Sequence, residues 1–437
     1  MATKRVLIIS YYFPPSGGAG VQRVLKTVKY LRDFGWEPVV YTAENAAYPV
    51  LDPSLAEEVP ADVTVLRGPI WEPYELYKRF TGQGKKKRVY SGIDSGEQQP
   101  SWTQRASVWM RGNFFIPDAR APWIGPSLRR LNDWLRTNSV DAMISSGPPH
   151  TTHMIARGLK RKFGIPWIAD FRDPWTNIDF YHRLQLSKWA DRRHRNMEAS
   201  VLRQADRVVT VSWSWAEDFR DLGRQDTEVI TNGFDEADFP NEEIAPDPGF
   251  TIVHVGYINK DRNHEAVWRA IGELCREESG FASPLTLRFT GQTDPGVAEL
   301  LRKYDLLDHA VFNDYVPHRE VIRELKRARV LLLLTNDTPN VLGVVPGKIY
   351  EYLATGRPVL GIGVAEGDAA RVLNETGAGT MCGFTDTEAV KQALRTYFAE
   401  YREGKLPGGG DPDAIRRFTR REATRRTADL LDQITAA

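Results

Sequence analysis

Cysteine is almost missing from this chain. Its 437 residues include two, Cys275 and Cys382, which alone can build neither a disulfide framework nor a zinc site. Apart from His150 and His153, the histidines His182, His194, His254, His264, His309 and His318 are scattered singly, none at metal-ligand spacing from a cysteine or a second histidine. There is no excess of charge of either sign. Fifty-eight Lys and Arg stand against 57 Asp and Glu, a formal net charge of +1, so nothing at the whole-protein level argues for nucleic acid and any basic site must be local. No apolar run approaches the roughly 20 residues of a spanning helix. The opening "MATKRVLIIS" turns straight into a strand and does not resemble a secretory signal. These absences lead us to expect a cytoplasmic protein, peripheral at most to the inner face of a membrane. No repeat of solenoid period is present.

What is present is an ordinary globular composition, 41% hydrophobic and 26% charged, in a chain long enough for two or three domains at about 150 residues each. Short apolar runs alternate with helical stretches: "RVLIIS", "EPVVYT", "DAMISS", "PWIAD" and "RVVTVS", then "FTIVHVG", "LTLRFTG", "RVLLLLT" and "RPVLGIG". Continuous rather than alternating apolar runs mark strands covered on both faces, hence parallel sheets in doubly wound α/β domains. Two sets predict two domains. We expect the first over residues 1–235 and the second over 245–415, divided by the acid-, proline- and glycine-rich stretch 232–250. Residues 416–437, with six arginines, predict a charged helix returning to the first domain. Residues 71–128 break the rhythm with "KKKR" at 85–88 and a mixture of aromatics and arginines. They read either as a surface excursion whose aromatics pack on the core or as an acceptor- or membrane-touching element.

Two glycine-containing turns draw attention. "YYFPPSGGAGVQR" follows the first strand, and its Gly17, Gly18 and Gly20 suit a strand-turn-helix whose amides face a polar ligand. They do not fit G-x-G-x-x-G, and only Glu44 follows the next strand, which disfavours a dinucleotide fold; a plain structural turn stays open. In "NVLGVVPGKIYEYLATGRPVLGIG", Lys348 and Glu351 lie one helical turn apart near a helix start. A cation there can meet a diphosphate while the carboxylate accepts ribose hydroxyls; a surface Lys–Glu pair is the alternative.

The string "PGKIYEYLATGRPVL" resembles the donor-site helix of family 4 glycosyltransferases, retaining enzymes of the GT-B fold, in which two Rossmann-like domains face across a cleft. "PPSGGAGVQR" resembles their glycine loop. "SSGPPHTTHMIA", "GIPWIADFRDPW", "ADRVVTVS", "ITNGFD", "HVGYINKDRN" and "YVPHREV" extend the likeness over essentially the whole chain. "DFRDPW" is similar to a branch of bacterial polysaccharide or lipid-linked-glycan transferases. The resemblance implies a polysaccharide or cell-envelope transferase using a nucleoside diphosphate sugar, with a glycan or lipid-linked acceptor and no nucleic-acid partner. It assigns Glu351 to the ribose, Lys348 and Arg262 to the diphosphate (Lys260 competing for the latter role), Val316 to the base, and Gly343, Val344 and Val345 to sugar and phosphate through their amides. Gly17, Gly18, His153, Asp170 and Arg172 fall to the sugar and acceptor cleft. Asp173 and His150 are the candidates for orienting the reactants, with Arg262 and Lys348 supplying positive charge; for Asp173 a salt bridge to Arg172 is the alternative. No cofactor and no metal are expected, because such enzymes neutralise diphosphate with side chains. Two departures stand out. Gly343 occupies the place of the first acid of an E-x7-E pattern, and the usual His after "GIPWIAD" is replaced near Arg172 and Asp173. Rival readings are a GT-B nucleotide-sugar epimerase, which would consume donor without acceptor, and a non-catalytic scaffold.

Overall fold

The computed structural model describes residues 4–72, 108–110, 112–239, 242, 244–314, 316–405 and 408–436. It forms two compact units. One holds the chain up to Thr231 and again from Ala423; the other is Asn232–Glu422.

The first unit is built on seven strands: β1 (Lys4–Ser10), β2 (Trp36–Glu44), β3 (Thr64–Pro69), β4 (Ala142–Gly147), β5 (Trp167–Phe171), β6 (Arg207–Thr210) and β7 (Thr227–Val229). They lie in the order β3-β2-β1-β4-β5-β6-β7, every pair parallel. The second unit holds β8 (Phe250–Val255), β9 (Leu285–Thr290), β10 (Ala310–Asn313), β11 (Val330–Leu334), β12 (Val359–Ile362) and β13 (Gly379–Cys382). Their order is β10-β9-β8-β11-β12-β13, again all parallel. Helices connect successive strands and cover both faces. Each sheet is therefore buried on two sides: all five residues of β11, "VLLLL", are buried, and removal from water stabilises each Leu or Val by about 1.5–3 kcal/mol.

In both sheets the strand order reverses at one place, between β1 and β4 and between β8 and β11. Chains leaving neighbouring strands there run in opposite directions, and the crevice so opened at the carboxyl ends is where doubly wound sheets take ligands. The loops after β1 and β4, and those after β8 and β11, thus border these crevices.

The division between units differs slightly from the sequence reading. Residues 232–235 go with the second unit because the Phe234 amide donates to the Phe418 carbonyl (3.1 Å) and the Arg420 amide to the Phe234 carbonyl (2.7 Å). The last helix, Arg420–Ala436, buries Ala428, Leu430, Leu431 and Ile434 among Val6, Ile8 and Val28 of the first unit. Most of the aromatic and basic excursion, residues 73–107 with "KKKR", lies outside the described residues. Of the remainder, Trp123 is buried and stacks on Tyr41 (centroids 5.4 Å apart), whereas Trp109, Met110 and Phe114 are exposed.

Candidate functional site

In the second unit the loops after β8, β10 and β11 bring the expected donor residues together. Lys348 opens the helix Lys348–Ala354, which Tyr352 fixes to the sheet: the Val255 amide donates to the Tyr352 hydroxyl (3.3 Å), which donates to the Leu332 carbonyl (3.4 Å). Lys348 Nζ donates to the Val255 carbonyl at 2.6 Å and lies 3.5 Å from His254 Nε2. Burial, and secondarily the Arg262 guanidinium, lower its pKa to about 7, with Glu351 opposing. His254, buried beneath and with Nδ1 2.9 Å from the Leu332 carbonyl oxygen, is held well below the ordinary histidine range by burial and then by Lys348.

Arg262 sits in the turn Lys260–Arg262 after β8. Its Nε donates to Asn336 Oδ1 (2.8 Å) and its Nη1 to the Tyr257 carbonyl (3.1 Å), so the β11 loop aims a residue of the β8 loop. Burial lowers its pKa, with Asp261 opposing. Lys260, its competitor, is exposed. Two half-buried cations, of which Arg262 lowers the pKa of Lys348, form at the carboxyl ends of the strands a site that an anion would complete.

Glu351 is half-buried, and its Oε1 lies 3.2 Å from Nε2 of His318. Val316 is half-buried just past β10, two residues before His318. Gly343 is buried in the turn Val341–Gly343. The expectation of a free Val344 amide needs correction: it donates to the Val341 carbonyl (3.1 Å) within that turn. Val345 is half-buried beside it. Sequence reasoning missed His318, Asn336 and Gly256. Gly256 has φ +103°, and a Cβ there would lie 2.9 Å from Lys348 Nζ; only glycine combines that backbone with that approach. The signal for it was the strand-glycine sequence "HVGY".

In the first unit the glycine loop after β1 folds against residues 50–52. The Gly17 amide donates to the Val50 carbonyl (2.9 Å), and a Cβ on Gly17 would press on Val50 and Asp52 at 3.0 Å. Gly18, with φ +86°, precedes the helix Ala19–Tyr30. Arg172, after β5, ties this loop to the β4 loop, donating to the carbonyls of Gly20, Pro148 and Gly147. Its guanidinium is engaged by backbone and holds the crevice in shape; burial lowers its pKa.

Asp170 is likewise engaged. Its carboxylate accepts from Arg23 (2.9–3.1 Å) and from Ser146 Oγ (2.8 Å), and Arg23 also donates to the carbonyls of Ile230 and Thr231. His153, expected to face the crevice, is instead fully buried against Phe171, with Nδ1 2.7 Å from Ser145 Oγ and a pKa pushed down to about 3 by burial. His150, buried at the start of the helix Thr151–Phe163, stacks on Trp175 (4.6 Å) and leaves Nδ1 without a hydrogen-bond partner. Burial holds its pKa well below the ordinary range. The helix start is capped by Asp118, which accepts from the Thr151 amide and hydroxyl (both 2.9 Å); nothing in the sequence singled it out.

Asp173 differs from all of these. It is half-buried, makes no ion pair with Arg172 or with any other described residue, and burial raises its pKa to about 6 against the lowering effect of Arg172. A carboxyl raised to about 6 in the loop after β5 can exchange a proton in mildly acidic to neutral solution.

Comparison with known proteins agrees with these two halves. Residues 17–233 match the family model described as a glycosyl transferase 4-like domain, and residues 249–400 that of glycosyl transferases group 1. The chain belongs to the GT-B glycosyltransferases. Solved structures share the fold at low identity. Sucrose-phosphate synthase from Thermosynechococcus elongatus has a TM-score of 0.61 at 14% identity over 99% of both chains. The lipopolysaccharide outer core galactosyltransferase WaaB has 0.57 at 13% identity, over 98% of this chain and 99% of that one. An E. coli protein solved with bound UDP-2-fluoro glucose has 0.58 at 12%, with 98% and 99% covered. No curated protein sequence matches the chain. In this glycosyltransferase no described helix is long and apolar enough to cross a membrane.

Proposed function

We propose that this glycosyltransferase moves a hexose-type sugar, with retention, from a nucleoside diphosphate sugar to a glycan or lipid-linked acceptor of the bacterial cell envelope, as the family 4 enzymes that it resembles do. The observation that carries the donor half is the convergence of Lys348, Arg262 and Glu351 at the carboxyl edge of β8 and β11. The two cations face the diphosphate, Glu351 accepts the ribose hydroxyls, and Val316 meets the base. In transfer the bond between the sugar C1 and the diphosphate oxygen breaks, the acceptor oxygen bonds C1 on the same face, and the acceptor proton passes to the departing diphosphate. Lys348 and Arg262 stabilise the charge that develops there, which leaves Asp173 or His150 to orient the reactants. No metal is required by this scheme, so EDTA leaves the rate unchanged.

The acceptor half rests on the likeness of "DFRDPW" to lipid-linked-glycan transferases and on fold kinship with a lipopolysaccharide galactosyltransferase. Gly343, where a carboxylate is usual, favours the scaffold alternative. The test is to incubate the full chain with donor and an envelope lipid extract and determine the anomeric configuration of the product by NMR. Retained configuration is expected. Inversion refutes the mechanism, donor consumption without acceptor indicates an epimerase, and no turnover with bound nucleotide indicates a scaffold.

A further inference from the structure

In the first unit the helix Lys188–Gln204 carries an open groove of about 390 Å³ lined by Arg157, Trp189, Arg192, Arg193, Asn196 and Met197. Three cations, one apolar floor and one indole share it. Trp189 is 61% exposed, and the Arg193 guanidinium lies 5.4 Å over its ring. No carboxylate lines the groove. Among nearby acids, Asp191 accepts from Arg195 (3.1 Å) and Tyr181 (3.0 Å), Glu198 is buried against Thr176, and Asp206 accepts from Lys160. The positive charge is therefore not cancelled locally.

A second exposed apolar group adjoins the same helix start. Asn113 Oδ1 accepts from the amide of Ser187, the residue capping the helix (2.7 Å), which brings the segment holding Phe114 to the start of the helix that carries Trp189. Phe114 is 69% exposed, and Trp109, whose ring meets it edge to face at 5.8 Å, is 45% exposed. Exposed rings of this size are unfavourable in water, and beside arginines they suit a boundary that is anionic at its surface and apolar just beneath.

We propose that this face, Trp189 with Arg157, Arg192 and Arg193 and the adjoining Trp109 and Phe114, docks on an anionic phospholipid bilayer. The arginines take the lipid phosphates while the rings enter the headgroup layer. The groove shares no residue with the donor site, and its test contains no nucleotide sugar, so it stands or falls separately from the transferase reading.

The test is co-sedimentation of the full chain with vesicles of phosphatidylcholine alone, or of equal parts phosphatidylcholine and phosphatidylglycerol. Binding is expected only to the mixed vesicles and weakens as salt is raised. Affinity falls about tenfold in Trp189→Ala and more in Arg192→Ala/Arg193→Ala, with unchanged thermal melting, since these side chains are exposed. Failure of the wild type to bind the mixed vesicles, or variants that bind as the wild type does, overturns the proposal. Full displacement by millimolar glycerol phosphate also overturns it, because the groove is then a site for a soluble anion.

Discussion

The Lys348 ammonium gives up most of its hydration to reach the Val255 carbonyl, and with a pKa of about 7 it is only partly charged in the free protein at neutral pH. A diphosphate favours the charged form, so donor binding near pH 7.5 takes up a proton. Above pH 7 the free protein loses that proton, and donor Kd should rise about tenfold per unit until the bound-state pKa is passed. Calorimetry in buffers of different ionisation enthalpy reads the uptake; Lys348→Arg, charged throughout, should flatten the profile. Asp173 has the opposite shift. Its folded pKa, about 6, lies above the usual carboxylate value, so the native state holds the proton more tightly and loses stability as pH rises through 6. Asp173→Asn should therefore melt higher than wild type at pH 7.5, by on the order of 1–3 kcal/mol, while the two converge below pH 4. If Asp173 orients the reactants, transfer falls at the same time. A variant that melts lower at pH 7.5 contradicts the burial account.

Among elements, the loops at the strand-order reversal of the second unit hold Arg262, Asn336 and Lys348, and Gly256 shows how tightly they are built. Gly256→Ala adds strain at φ +103° and pushes on Lys348, so donor Kd should rise about tenfold with roughly 1–2 kcal/mol of stability lost. Gly280→Ala, also at positive φ (+81°) but with open space around its Cβ, should lose stability and keep donor affinity. Calorimetric titration with thermal melting separates the two. The same scale explains which strands the sequence revealed. The central runs were legible because burial on both faces demands continuous Val, Ile and Leu. The unread strands β3, β7, β10 and β13 are the four sheet edges, partly exposed and of four residues or so in three cases, and such edges need no apolar run. Lys348 and Glu351 stood out in the sequence because they share a helix turn. His318, Asn336 and Asp118 could not, since their roles come from partners far along the chain.

For the whole molecule, the chain leaves the first unit at Thr231 and returns at Ala423, where Leu430, Leu431 and Ile434 of the arginine-rich last helix are buried in the first unit's core. Each unit has its own sheet and core, which is why a break near residues 232–250 could be seen in the sequence. Its place within a few residues depended on the pairing of Phe234 with Phe418, which no local pattern records. The central claim is that the second unit is a nucleotide-sugar site, and its most direct test is thermal melting of wild type and Glu351→Ala with UDP, GDP, ADP, TDP and CDP and their common sugars. The account predicts stabilisation of wild type by one nucleotide family, about 2.7 kcal/mol at a hundredfold excess over Kd, lost in Glu351→Ala. No shift with any nucleotide, or an equal shift in the variant, would contradict it.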